Sequence, residues 1–460
     1  MNSRSLILAV LLAGSSAVAA TSPQPPNIVF VLFDDMGYGQ PPSYRADSPF
    51  KTPNIDRLAK QGMRFTDAHS AASVCTPTRY GVLTGRYPLR IGQFGVLNTY
   101  SPPIIPTTRL TVASFLKQHG YHTACIGKWH LGMNWQIKKV GKSDNLPIGA
   151  KMTDGPNAIG FDYFYGFTHA RNIQTIIEQD AVVAHVERVE NQPLMIRKAV
   201  DYIERQSKEK EPFFLYFPMC PPHNPIAPAP QFEGKSGVTG KKGRYADWVY
   251  QGDHMLGQIL EALERTNQAE NTLVIATADN GAAKRPYPPL REAKASIYEG
   301  GNREPFVARW PGKIRAGSIN DNTICLNDLF ATCADLLGKP LPENAAEDSV
   351  SILPCLLGTA KGPVREATIH QSPQQTGKLS IRQGPWKLIF GRDGARELYN
   401  LQSDISETKD LAGTHTDVAA RLEKLMLSYI QRGRSTPGPE QENDIDLSLD
   451  NFRVKKNDPP

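Results

Sequence analysis

Several absences narrow the possibilities before any motif is considered. Cysteine is scarce: six in 460 residues, at positions 75, 125, 220, 325, 333 and 355. Their spacing shows none of the repeats that a disulfide framework or a zinc site requires. Beyond the N-terminus no apolar run approaches the ~18 residues of a membrane helix. Gly and Pro number only 37 each, well short of the ~25–30% combined share of disordered or low-complexity chains. Charge of one sign is missing too. Lys and Arg total 52 against 46 Asp and Glu, a net +6, and no basic run clusters on one element, which argues against a nucleic-acid partner. There is also no Asn-x-Ser/Thr acceptor. For an exported chain, that favours a bacterial periplasmic home over a glycosylating secretory route.

What is present reads as a globular α/β protein. Met1-Asn2-Ser3-Arg4 is a short basic start, followed by an apolar run over 6–12 and by Ala17-Val18-Ala19, the small-residue pattern of a signal-peptidase site. A cleaved signal over 1–20 is expected, leaving an exported chain with no stable membrane anchor. Residues 27–33 are almost continuously apolar and end abruptly in Asp34-Asp35-Met36-Gly37, the pattern of a parallel strand buried on both faces. Thr52-Pro53 opens a helix that Gly62 closes, and 111–120 repeats the plan before a strand at 121–126. Further strands are expected at 213–217 and 272–277, with helices near 193–206 and 244–264. Strands alternating with helices predict a large, mostly parallel sheet covered on both faces. Ligands in such sheets gather beyond the carboxyl ends of the strands. Asp34-Asp35 and Ala278-Asp279-Asn280-Gly281 should therefore meet. From about 361 the texture shifts to short β-like runs (378–381, 386–390, 397–400) and one helix at 416–432. This predicts a catalytic domain over 21–360, a smaller antiparallel sheet-plus-helix subdomain over 361–435, and a flexible polar tail over 436–460.

The segment richest in chemistry is Ser73-Val74-Cys75-Thr76-Pro77-Thr78-Arg79, running on to Leu83-Thr84-Gly85-Arg86. Pro77 suits a first helical turn and Gly85 a stop, so Cys75 falls at a helix N-terminus, where free N–H groups favour an anion. Arg79 lies one turn on, able to brace whatever Cys75 becomes. Gly127-Lys128-Trp129-His130-Leu131-Gly132 follows, then Pro222-His223-Asn224-Pro225, Asp279-Asn280-Gly281, and Lys294 ahead of Tyr298-Glu299-Gly300-Gly301 and Arg303-Glu304-Pro305. Taken alone, each Lys or His is as readily a surface or structural residue. In this order the six landmarks resemble the type I sulfatases of the alkaline phosphatase superfamily, across roughly residues 25–435.

That resemblance implies a sulfuric ester hydrolase in which a formylglycine-generating maturation enzyme converts Cys75 into formylglycine. Asp34, Asp35, Asp279 and Asn280 offer only hard oxygens, which suit Ca²⁺ or Mg²⁺ and not zinc. The family's ion is Ca²⁺, with the modified Cys75 as a further ligand. Lys128 and Lys294 are the expected charges on the sulfate oxygens. The implied chemistry has two stages. One hydroxyl of the hydrated aldehyde attacks sulfur while His223, with Lys294 able to assist, protonates the departing alcohol; His130 then takes the proton of the second hydroxyl as sulfate leaves. A sulfated carbohydrate is the expected substrate by analogy. For its recognition the candidates are Asn134, Trp135, His169 and Arg171, beside an aromatic run at 160–166 that reads equally well as core. Two other readings stay open at this point: a phosphonate monoester or phosphodiester hydrolase of the same superfamily, and a non-catalytic glycan-binding protein.

Overall fold

The computed structural model describes residues 24–139, 146–373, 377–391 and 394–449. The expected signal segment, 1–20, and the last eleven residues of the tail lie outside these. Eleven described strands form one sheet. In chain order they are β1 (Asn27–Asp34), β2 (Met63–His69), β3 (His122–Lys128), β4 (Tyr163–Phe167), β5 (Thr175–Glu178), β6 (Ala181–His185), β7 (Phe213–Pro222), β8 (Thr272–Ala278), β9 (Arg303–Arg309), β10 (Ser318–Asn320) and β11 (Ile324–Cys325). The spatial order is β10-β2-β9-β8-β1-β7-β3-β4-β5-β6, with β11 pairing β2. The centre, β8-β1-β7-β3-β4, is parallel, while β9, β5 and β6 run antiparallel to their neighbours. The sheet is thus mixed and mostly parallel at its core.

Strand β1 shows why the apolar run is unbroken. Ile28, Phe30 and Leu32 face one core, with α2 (Cys75–Thr84) and α3 (Val112–Gln118). Val29, Val31 and Phe33 face the other, with α1 (Pro53–Gln61), α4 (Arg188–Gln206) and α5 (Gly243–Arg265). Side chains alternate across a strand, so burial on both faces leaves no position for a polar residue. Each such Val, Leu or Phe gains about 1.5–3 kcal/mol from burial. Helix α1 gets its N-terminal acceptor from outside: Thr52 makes no side-chain cap, and Asp253 of α5 accepts from Asn54 N and Ile55 N instead. Helix α4 begins five residues before the expected start at Pro193, which lies inside its second turn and gives up the hydrogen bond to the carbonyl of Val189. The aromatic run at 160–166 resolves as core: it leads into β4, and Phe161 and Phe164 are buried.

The C-terminal sheet is antiparallel, Thr368–Gln371, Leu379–Gln383, Trp386–Phe390 and Arg396–Asn400. The helix Thr416–Gln431 covers it through Leu422, Met426, Tyr429 and Ile430. The same cluster takes in Tyr87, Leu89 and Phe94, so the two sheets share apolar packing. A buried charge network locks them further. Asp67 of β2 binds Arg303 and Arg382; Glu299 binds His69, Arg303 and Lys387; Lys387 also binds Glu407. Asp67, His69 and Glu299 have the spacing of metal ligands, but these cations already occupy them.

Within the tail expected to be flexible, residues 436–449 make specific contacts with the fold. The fully buried guanidinium of Arg86 donates to Glu442 O at 2.7 Å and to Asp444 at 2.9 Å, and Arg90 donates to Asn443 Oδ1 at 2.9 Å. Polar composition suggested looseness; two buried arginines in need of acceptors make it a strap. All six cysteines are buried and free, and no described helix is long and apolar enough to cross a membrane.

Lys387 is fully buried between Glu299 (2.9 Å) and Glu407 (2.8 Å). Lys387→Met leaves Glu407 without its cation and Glu299 with only Arg303 and His69, and denaturant unfolding should register a loss of about 3–5 kcal/mol.

Candidate active site

The carboxyl ends of β1, β8, β3 and β7 converge, as the alternation of strands and helices predicts. Strands β1 and β8 are parallel neighbours with Phe33 opposite Ala278. In-register pairing therefore delivers Asp34-Asp35 and Asp279-Asn280 to the same place. Asp279 N donates to Phe33 O at 3.0 Å, and Asp35 N donates to Asp279 Oδ1 at 3.1 Å. Asp35 adopts a left-handed backbone (φ 64°), as do His130 (φ 61°) and Ala295 (φ 71°). Non-glycine residues in this region carry strain, which tends to gather at functional sites.

Helix α2 enters the same space. Its N1 residue is Cys75, and Gly85, left-handed at φ 66°, ends it. The loop ahead of the helix is pinned by the C-terminal sheet: Ser73 N donates to Gln371 O, and Gln371 N to Ala71 O, both at 3.0 Å. Cys75 Sγ lies 3.3 Å from Asp34 Oδ1 and 3.4 Å from Lys294 Nζ. Burial, then the charges of Asp279 and Asp34, push its thiol far above the ordinary range. A thiolate is the nucleophilic form of cysteine, and burial and these carboxylates oppose its formation at Cys75.

Three cations meet the three carboxylates. Lys128 Nζ donates to Asp34 Oδ2 at 2.6 Å, and Lys294 pairs with Asp35. Arg79 grips Asp279 Oδ2 through Nε (3.1 Å) and Nη2 (2.7 Å), and donates through Nη1 to Lys128 O. Arg79 thus braces a carboxylate and a backbone carbonyl, not residue 75 as its spacing suggested, and it does not line the cavity. Burial disfavours the charge of Asp34, yet Lys128, His223, Arg79 and Lys294 hold its carboxyl well below the usual range. For Asp279 burial and the Asp34 charge prevail over Arg79 and push it up to about 6.

The two histidines are oriented by carbonyls. His130 donates from Nε2 to Leu97 O at 3.0 Å, which leaves Nδ1 as the unprotonated nitrogen, and this buried Nδ1 has no partner. Burial and then Lys128 hold His130 well below its ordinary pKa, hence neutral. His223 donates from Nδ1 to Asn224 O, and its Nε2 sits 3.7 Å from Asp35. Trp248 Nε1 anchors that loop by donating to His223 O at 2.9 Å. Burial lowers His223 also, against the pull of Asp34 and Asp35.

A cavity of about 300 Å³ opens above this cluster. Cys75, Lys128, His130, His223 and Lys294 line it, with His169 and Arg171. Asn134 and Trp135 do not. Asn134 donates to Asp154, in the loop beyond β3, and Trp135 to Thr99 O, in the loop ahead of α3, so both side chains are occupied within the protein. The loop Gly95–Asn98 also lines the cavity; sequence reasoning passed over it, because its contribution is the Leu97 carbonyl, which no side-chain pattern signals.

The cluster suits a hard divalent cation. Ligand atoms of Asp34, Asp35, Cys75 and His223 lie within 4.8 Å of one another. Asn280 donates through Nδ2 to Asp35 Oδ1 at 2.7 Å, yet its buried Oδ1 has no partner. An orphaned buried carbonyl oxygen costs roughly 1–3 kcal/mol, a cost that a cation among the carboxylates removes.

Comparison with known proteins identifies the arrangement. The family model described as Sulfatase matches residues 26–339. The chain belongs to the sulfatase family. This sulfatase is 31% identical to the N-acetylgalactosamine-6-O-sulfatase of Bacteroides thetaiotaomicron, over 89% of the chain and 94% of that protein. It is 33% identical to human arylsulfatase A, over 95% and 93%. Among solved structures, a Bacteroides thetaiotaomicron sulfatase from work on the metabolism of glycosaminoglycans superposes with a TM-score of 0.79 at 30% identity, covering 88% of this chain and 99% of that one. The carrageenan-complexed Ps i-CgsB does so at 0.79 and 26% identity, covering 92% and 95%. The chain is accordingly a sulfuric ester hydrolase.

Metal affinity should follow the protonation of Asp279. Below a carboxyl pKa of about 6 a proton competes with the cation, and above it the carboxylate is free to ligate. Calorimetric titration with Ca²⁺ from pH 5 to 8 should show affinity rising roughly tenfold per unit up to about pH 6, then levelling off.

Proposed function

We propose that this sulfatase removes sulfate from a sulfated carbohydrate, using an oxygen nucleophile generated at Cys75 and a Ca²⁺ ion held by Asp34, Asp35, Asp279 and Asn280, with residue 75 at the edge of the cage. Mg²⁺ is the second choice for the same oxygens. The observation that carries this reading is the convergence on one cavity of a suppressed thiol, an unpartnered His130 Nδ1 and two lysines, which pair with two of the three carboxylates lying beneath it. A site built for a cysteine nucleophile would lower that thiol's pKa; here every near carboxylate raises it. Conversion of Cys75 to formylglycine supplies an oxygen nucleophile in its place, and the cation supplies Lewis-acid polarisation of a sulfate oxygen.

The remaining work falls to side chains. Lys128 and Lys294, paired here to Asp34 and Asp35, hold the sulfate oxygens as point charges once a cation takes over those carboxylates. The unprotonated Nδ1 of the neutral His130 accepts a proton at the nucleophile. His223 presents Nε2 to the leaving alcohol. An anionic sulfate ester beside it raises its proton affinity above that of the empty pocket, so it is charged when a proton must be given. Arg79 acts through Asp279, as a positioning residue. Substrate names among the relatives, N-acetylgalactosamine 6-sulfate sulfatases and a carrageenan-bound structure, support a sulfated glycan. The basic, apolar, small-residue order of the N-terminal segment supports export to a periplasm, and the maturation enzyme is the implied partner.

Sulfate release from sulfated sugars and from nitrophenyl sulfate, set beside hydrolysis of nitrophenyl phosphodiesters and phosphonates, tests the assignment. Sulfate esters should be preferred. Cys75→Ala should lose at least about 10³-fold in turnover with an unchanged melting profile, and His130→Ala about 10²–10⁴-fold. Preference for phosphodiesters would make the chain a phosphoryl or phosphonyl hydrolase. Glycan binding without any turnover would make it a lectin-like relative.

A further inference from the structure

The cavity mouth holds one cation that the chemistry above leaves unused. Arg171 is exposed at the rim and, among the described residues, its side chain makes no ion pair or hydrogen bond. The cations beneath it are committed: Lys128 to Asp34 and Lys294 to Asp35. No carboxylate side chain lines this cavity among the described residues, since the aspartates lie below it. Among the described residues, no carboxylate at this mouth is therefore available to neutralise Arg171.

Its position is built rather than incidental. Arg171 N donates to His169 Nδ1 at 3.3 Å, and the opposite nitrogen of that buried ring, Nε2, bonds Thr99 Oγ1 at 2.9 Å. Asn172 Nδ2 then ties Thr99 and Thr168 together at 3.3 and 3.2 Å. Both His169 nitrogens are thus engaged within the protein. His169 anchors the turn at Ala170–Asn172 and is not free to bind a hydroxyl, as its sequence position had suggested. What the turn presents to the mouth is the guanidinium, a planar fork matched to carboxylate and sulfate oxygens. Gly95, Val96 and Leu97 add an apolar surface to the same mouth, suited to the face of a sugar ring that carries a charged substituent.

We propose that Arg171 is a specificity-determining residue that pairs with a second oxyanion of the substrate, a carboxylate or a further sulfate close to the sulfate being cleaved. The inference rests on the sulfatase reading of the cavity and narrows its substrate class to polyanionic glycans.

The test uses the matured protein, Arg171→Gln and Arg171→Lys on three sugars. These are a monosulfated neutral monosaccharide, the same sugar with a second sulfate, and the same sulfated sugar linked to a uronic acid. The quantity read is the ratio of kcat/KM on each dianionic sugar to that on the monoanionic one. Wild type should favour at least one dianionic sugar. R171Q should lower that ratio about tenfold or more, through KM, with R171K recovering part of it; the arm that responds identifies the second anion. Ratios that stay within twofold in both arms would overturn the proposal. If wild type releases sulfate from none of the three, it is the proposed sulfated-carbohydrate activity, and not the role of Arg171, that fails. Calorimetric affinity for the same sugars then decides the role of Arg171: a tenfold loss for a dianionic sugar in R171Q supports it, and equal affinities refute it.

Discussion

Parallel, in-register pairing of β1 with β8 forces three buried carboxylates together, and the rest of the site answers that concentration of charge. Asp34, Asp35 and Asp279 could not share so dry a space unaided, because burial and mutual repulsion both oppose ionisation. Arg79, Lys128 and Lys294 reach in from three separate elements, one to each carboxylate. Three charges of each sign bring the cluster near balance, so the proposed divalent cation would give the pocket the positive field that an anionic ester requires. The orphaned oxygen of Asn280 points the same way: the cage is complete only with something to coordinate.

Positioning residues are spread far from the chemistry. Gly127, at the end of β3, is one backbone requirement that admits no substitute, since a Cβ there would stand 2.1 Å from Pro218 O and push β3 off β7. The edge of the C-terminal sheet fixes the loop ahead of Cys75, and the buried network around Glu299 and Asp67 holds that sheet in place. The smaller domain thereby helps build the active site without lending it a catalytic side chain. The strap at 436–449 closes over Arg86 and Arg90, just past the end of the Cys75 helix.

The strands that carry the site were legible because burial on both faces leaves an uninterrupted apolar signature, as in β1 and β8. Strands β2 and β9 were not. Arg64, Asp67, Arg303 and Glu304 interrupt them: Asp67 and Arg303 are accommodated as an ion pair, Arg64 lies half-buried over the Tyr44 ring and Glu304 accepts from Ser70, partnerships that no local pattern signals. The fourth C-terminal strand, Thr368–Gln371, hides behind His370 and Gln371 for the same reason. Within the site, residue identities were legible from local motifs, while partnerships across the fold were not. Arg79 looks in sequence like a neighbour of Cys75, but its long side chain reaches Asp279, two hundred residues on. His169 looks like a ligand to sugar, and the Thr99 loop claims it. The Leu97 carbonyl that sets the His130 tautomer belongs to the backbone and leaves no mark on composition.

The central claim is that the ends of β1 and β8 form one cation cage. A crystal structure of the matured protein grown with Ca²⁺, with the ion identified by its anomalous signal, examines it most directly. The account predicts a single ion with oxygens of Asp34, Asp35, Asp279 and Asn280 at about 2.3–2.6 Å, and with Lys128 and Lys294 turned toward the sulfate position. Ca²⁺ bound elsewhere, or this cage still bridged only by its lysines at saturating Ca²⁺, would contradict it.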